Sequence, residues 1–235
     1  MFVHADGIVD DNYLSWVNTN KININSVDKS HSLEVGSTYF SHSVALIAEF
    51  GAKLIQIVWR KLEKDGLEQS DDVLTHFGFE LISRGYYSIA ERLLEFGISM
   101  REHSSDRVKR MMIINLANAA KLNNNPDKAV KILASVDWSA SSDDFNLCRH
   151  AILSDVDEVV TLMGKIGNNS SVGQKEYQSW PVFFHVRDDD RFKQTFLDVF
   201  SVVYAPEPVE RATLTQFLRL MAGKPFPGST GASDP

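Results

Sequence analysis

The sequence predicts an all-α protein built from antiparallel helix-turn-helix repeats, with capping helices toward its N- and C-terminal ends. Three observations point there. Between Val73 and Gly97 apolar residues recur every three or four positions, as Phe77, Leu81 and Ile82 before Gly85 and as Ile89, Leu93, Leu94 and Phe96 after it. That is the period of two helices folded back on each other at one glycine. A small residue on the first helix, Gly78, stands twelve positions ahead of another on the second, Ala90, where two touching helices need room. The unit then recurs: Ala117 and Ala129 are again twelve apart around the turn-forming stretch 123–127, and a more degenerate copy sets Leu147 and Val159 on either side of Ser154-Asp155.

Taken in order, the chain opens with an irregular N-terminal segment, residues 1–36. In it Asp10-Asp11 is expected to start a short helix reaching Trp16, residues 22–27 alternate like a brief strand, and residues 26–37 are polar and turn-rich, like a linker or a loop laid over the next helix. The helical domain then spans 37–221. Residues 38–62 keep a helical period, and their apolar positions, among them Val44, Ile47, Phe50, Leu54, Val58 and Leu62, cover more than half of the circumference. This helix is therefore expected to be buried on more than one side, as an N-terminal cap under the first repeat. Asp65-Gly66 is read as a turn, and Ser70-Asp71-Asp72 as the N-cap that opens the repeats. The repeats run to Gly167. Residues 168–176 break the pattern, Trp180-Pro181 marks a helix boundary, and Phe192, Phe196, Val199 and Phe200 form the stripe of a C-terminal cap. A last amphipathic helix is expected over 209–221, and the Pro-, Gly- and Ser-rich stretch 222–235 is expected to be disordered.

The twelve-residue spacing of small residues resembles the tetratricopeptide repeat, and the offsets between copies, 39 and 30 residues, straddle the 34-residue period of that family. The resemblance covers about residues 71–167 and is clearer in the first two units than in the third. Residues 181–192, with a proline, aromatics and Arg187-Asp188-Asp189 before Arg191-Phe192, resemble the closing segment that follows such arrays in bacterial proteins. What the resemblance implies is a TPR-like α-solenoid whose concave groove binds a partner: a protein-protein interaction module, the sensor or assembly part of a larger bacterial system. In that register Asp72, Thr75, Phe79, Ile82 and Ser83 face the groove from the first unit, Met111, Ile114, Asn118, Lys121 and Leu122 from the second, and Asp144, Cys148, Ala151 and Ile152 from the third. Of the Lys, Arg and Asn side chains with which some members clamp a terminal carboxylate, only Asn118 and Lys121 are matched, so an acidic C-terminal peptide is not the expected ligand. The groove is mostly apolar, suited to an amphipathic partner helix or peptide, or to a helix of the same chain. Three alternatives remain open: a generic helical bundle, the C-terminal part of an enzyme whose catalytic domain lies upstream, and a homo-oligomerising structural module.

Composition narrows the classes further. A net charge of −7 speaks against a nucleic-acid-binding face, and the densest basic stretch, residues 101–110, carries Glu102 and Asp106 and reads as a solvated helix start. One cysteine, Cys148, allows no internal disulfide and suits a reducing compartment, the cytoplasm. It lies on an amphipathic stretch, with His150 on another face, so packing rather than nucleophilic chemistry is expected of it. The seven histidines are scattered singly without metal-ligand spacing, and Asp188-Asp189-Asp190 reads as a helix start. No signal peptide is visible, and the charges within residues 44–62 speak against a membrane span. Phosphate-loop, dinucleotide and hydrolase motifs are absent. The expectation is a non-enzymatic chain without cofactor or metal.

Overall fold

A computed structural model describes residues 7–22, 28–33, 36–168 and 170–207. The chain divides into two compact units, Met1–Ile47 and Ala48–Pro235. Among the described residues there are ten α-helices and no strand, so the protein is all-α. The expected helix over 209–221, the tail 222–235 and most of the expected strand over 22–27 lie outside the described residues.

In the first unit α1 (Asp11–Thr19) starts where the acidic pair suggests, because the Asp10 carboxylate accepts from the Tyr13 N–H at 2.7 Å, an N-cap bond. The described part of the expected linker is not free. Val9 donates to the His31 carbonyl and Leu33 to the Gly7 carbonyl, each at 2.9 Å, which makes a single antiparallel bridge between Ile8 and Ser32, and Val9 and Val17 are buried. From Ser37 the chain enters α2 (Ser37–Leu62).

In the second unit a short 3₁₀ turn (Lys64–Gly66) leads to α3 (Leu67–Ser83), and Gly85, at φ +82°, turns the chain into α4 (Tyr87–Ile98). Glycine adopts that left-handed conformation without a Cβ clash. At Gly78 the two helices meet so closely that a Cβ would lie 2.7 Å from Leu94 Cδ2, which is why the small residue is there. α5 (Asp106–Leu122) follows, capped by Ser105, then α6 (Pro126–Ala134), with Asn125 as cap and a proline in its first turn. α7 (Asp143–Leu153) and α8 (Val156–Ile166) are joined by Ser154 at φ 59° and capped by Asp155. Each helix from α3 to α6 packs on the next in the chain, α7 packs on α8, and α5 also touches α3 and α7. The paired positions Gly78 and Ala90, Ala117 and Ala129, and Leu147 and Val159 are all buried. α9 (Gln174–Ser179) stops before Pro181, a 3₁₀ segment (Pro181–His185) crosses α7 and reaches α5, and α10 (Asp190–Phe200) packs on α8. Phe192 and Phe196 are fully buried with Tyr177 and Phe183 in one aromatic cluster.

Two expectations fail here for the same physical reason. The N-terminus of the first repeat helix is not at Ser70–Asp72 but at Leu67, three residues earlier. Ser70 and Asp71 are buried within the helix and hold α2: the Ser70 hydroxyl donates to Gln56 Oε1 at 2.6 Å, and Asp71 takes the Arg60 guanidinium. Because α2 docks through these groups and through Glu49, which accepts from Arg92 at 2.6 Å, its polar side faces inward. Its large apolar side chains are not buried on several sides: Phe50, Leu54, Ile55, Ile57, Val58 and Leu62 are 43–77 % exposed. The basic stretch 101–110 is also only partly solvated. Glu102 accepts from Arg60 at 2.9 Å through its carbonyl, and Ser104 donates its N–H to Asp71 at 2.7 Å.

Candidate functional site

Where α3, α5 and the start of α7 face the closing segment, they surround a cavity of about 450 Å³. Its floor is mostly apolar. α3 contributes Thr75 and Phe79, α5 contributes Met111, Ile114 and Asn118, α7 contributes Phe145, and the closing segment contributes Val172, Trp180 and Val182. The spacing within α5 explains its share, since residues 111, 114 and 118 recur at three and four and so line one face. Met111 is 37 % exposed, the most open of these three, whereas Ile114 and Asn118 are buried. The rim is polar: Asp72, His76, Arg107 and Asp144 border the opening. Arg107 stacks its guanidinium 5.9 Å from the Phe145 ring centroid, and Asp144 accepts from the Ser171 hydroxyl at 2.6 Å.

The sequence-derived groove residues separate into two groups. Phe79, Met111, Ile114 and Asn118 line the cavity, as do Asp72, Thr75 and Asp144. Ile82, Lys121 and Leu122 do not. Ile82 is 1 % exposed, and Leu122 is half-buried outside the cavity lining. Lys121 reaches instead to the turn after α7, where its Nζ donates to the Ile152 carbonyl and, at 2.6 Å, to the Ser154 hydroxyl. On α7, Cys148, Ala151 and Ile152 are in the core. Burial first, and the nearby Asp144 carboxylate second, push the Cys148 thiol up to about 12, so it stays protonated and unreactive at neutral pH.

Asn118 is bonded within the fold through its side-chain oxygen, because Oδ1 lies 2.9 Å from His185 Nε2 of the 3₁₀ segment. Of the pair that matched a carboxylate clamp, Lys121 is therefore turned away and Asn118 keeps only its Nδ2 amide for a ligand. This contact also fixes the closing segment to α5. Burial, and then the Lys121 charge, lower His185 from its ordinary 6.5 to about 4. The folded state thus holds the ring neutral, while the unfolded chain takes up a proton as pH falls through 6.5. The sign follows: the contribution of His185 is complete above pH 6.5, declines as the pH falls, and is gone by about pH 4, an effect on the order of 3 kcal/mol. His185→Gln should flatten the stability-pH curve over that window when denaturant unfolding of the two proteins is compared. Equal slopes in both would assign the titration to other groups.

The closing segment is the part of the site that sequence periodicity does not reach. Pro181 ends α9 at Ser179, and that boundary presents the Trp180 indole edge-on to Phe79, with centroids 6.1 Å apart at 71°. The Trp-Pro boundary is visible in the sequence; the direction in which it turns the indole is not. Among the described residues no group of three or more His, Cys, Asp or Glu side chains is placed to hold a metal ion, and no described helix is long and apolar enough to cross a membrane. Compared with known proteins, the chain matches no protein-family model, no curated protein and no solved structure.

Proposed function

We propose that this protein is a TPR-like interaction module that binds a partner protein through an amphipathic helix or peptide, with the 450 Å³ cavity as the anchoring site. The observation that carries the reading is the convergence of equivalent positions on successive first helices, Thr75, Ile114 and Asp144 at one register position and Phe79 and Asn118 at another, on one apolar depression with a charged rim that Phe145 completes. That is the place where a solenoid of helix pairs presents its concave face, and an apolar floor inside a polar rim is the anatomy of a peptide-anchoring site. A helix about 10 Å across does not fit inside; its apolar anchors do, between Phe79, Met111 and Phe145, with cationic side chains at Asp72 or Asp144 and anionic ones at Arg107. The site needs no cofactor or metal for this role. The lone, buried thiol suits a cytoplasmic chain, and the module is read as the assembly or sensor part of a larger system.

The test is selection of helical peptides from a display library against the 235-residue chain. Met111→Glu should weaken the selected peptides at least ~10-fold, while Val130→Glu, on the exposed side of α6, leaves their affinity unchanged. Peptides indifferent to Met111→Glu, or no peptide binding at all, would refute the reading.

A further inference from the structure

The outer face of α2 is a second candidate site. Nothing in the described second unit accounts for it. Toward the rest of the unit α2 presents Glu49, Gln56 and Arg60, each bonded across to α3, α4 or the loop before α5. Away from it lie Phe50, Leu54, Ile57 and Val58, spaced by four, three and one, which is the a, d and e pattern of a helix-pairing seam. The six exposed apolar side chains of Ala48–Leu62 leave roughly 600 Å² open to water, the upper end of what a monomer tolerates. Two copies of this patch pressed together would remove roughly 1,200 Å² from water, the lower bound of a stable interface. Gly51 points the same way. Mid-helix glycine costs about 1 kcal/mol relative to alanine, yet among the described residues a Cβ there would meet nothing within 4 Å. Close approach of a second helix gives a reason for it.

We propose that this face is the seam of an antiparallel homodimer, two copies of α2 packed across a two-fold axis near residue 52. The stripe is self-complementary about that point, with Phe50 of each copy against Leu54 of the other. The single basic residue on the face sets the direction. Side by side, parallel helices would bring the two Lys61 ammonium groups together, whereas the antiparallel pair separates them by about 27 Å along the axis, well beyond the screening length. A lipid surface is the poorer occupant, because one lysine on the face of a chain of net charge −7 offers little attraction to anionic headgroups. The dimer does not rest on the cavity reading and leaves the cavity residues outside the seam.

Sedimentation equilibrium of the 235-residue chain at micromolar concentration should give twice the monomer mass. Phe50→Glu and Leu54→Lys should each weaken self-association at least ~100-fold, with unchanged helicity by circular dichroism. Mixing the two variants should restore a dimer, because the new carboxylate and ammonium then face each other. A monomeric parent, with the face covered by residues 208–221 of its own chain or floating with anionic vesicles, would overturn the proposal. So would a dimer indifferent to both substitutions, or a mixture that stays monomeric.

Discussion

Asp71→Ala is expected to lower stability by about 3–5 kcal/mol, the cost of leaving a buried charge without its partner, and to shift the unfolding midpoint down by ~6–20 °C for a chain of this size. The Asp71 side chain is fully buried and the Arg60 guanidinium is 14 % exposed. One carboxylate oxygen takes Arg60, the other takes the Ser104 N–H at 2.7 Å, and the His103 ring lies 3.7 Å away. Removing the carboxylate strands the guanidinium, whose Nε already has no partner among the described residues, and leaves the Ser104 N–H unsatisfied. It also releases α2 and the loop 99–105 together, since Arg60 bridges them through the Glu102 carbonyl. A double replacement, Arg60→Met with Asp71→Leu, should regain most of the loss, because apolar groups of similar volume need no compensation. If Asp71→Ala unfolds within about 1 kcal/mol of the parent in urea, the pair is not buried in solution and the docking of α2 has been misread.

Phe192→Ala is expected to cost about 3–5 kcal/mol as well, through a cavity rather than a charge. The ring is fully buried at the start of α10, with its centroid 6.1 Å from both Tyr177 and Phe183 and 5.4 Å from Tyr204. Its neighbours flank Trp180 and Val182, which form one wall of the cavity, so the loss should reach the proposed site. Peptide affinity is expected to fall along with thermal stability, although residue 192 does not line the cavity. The two effects separate the roles of the cluster. Lowered stability with undiminished peptide binding would show that the closing segment supports the fold without shaping the site, and an unchanged unfolding curve would mean that the aromatic cluster does not hold α10 in place.

The sequence by itself determined the all-α class and the positions of the turns, because these follow from local chemistry: the apolar period that sets helix faces, Gly85 at positive φ, Pro126 at the start of α6, Ser154-Asp155 between α7 and α8, and the Asp189 carboxylate accepting from the Arg191 N–H at 2.8 Å as the N-cap of α10. The same period placed Phe79, Met111, Ile114 and Asn118 on faces that meet at the cavity. Tertiary structure decided what local chemistry leaves free. Whether a polar side chain faces solvent or a partner depends on groups far along the chain: Asn118 finds His185, 67 residues on, which ties its oxygen to the closing segment while the side chain still lines the cavity, and Lys121 finds the turn at Ser154, 33 residues on, which takes it from the groove that periodicity assigned it. In α2 the period is equally plain, but hydrophobicity alone argues for the wrong inward face. Glu49, Gln56 and Arg60 each find a bonded partner 14 to 43 positions away. A buried polar group left unpaired costs more than an exposed leucine does, so the face that could be satisfied turned inward and the apolar one stayed out.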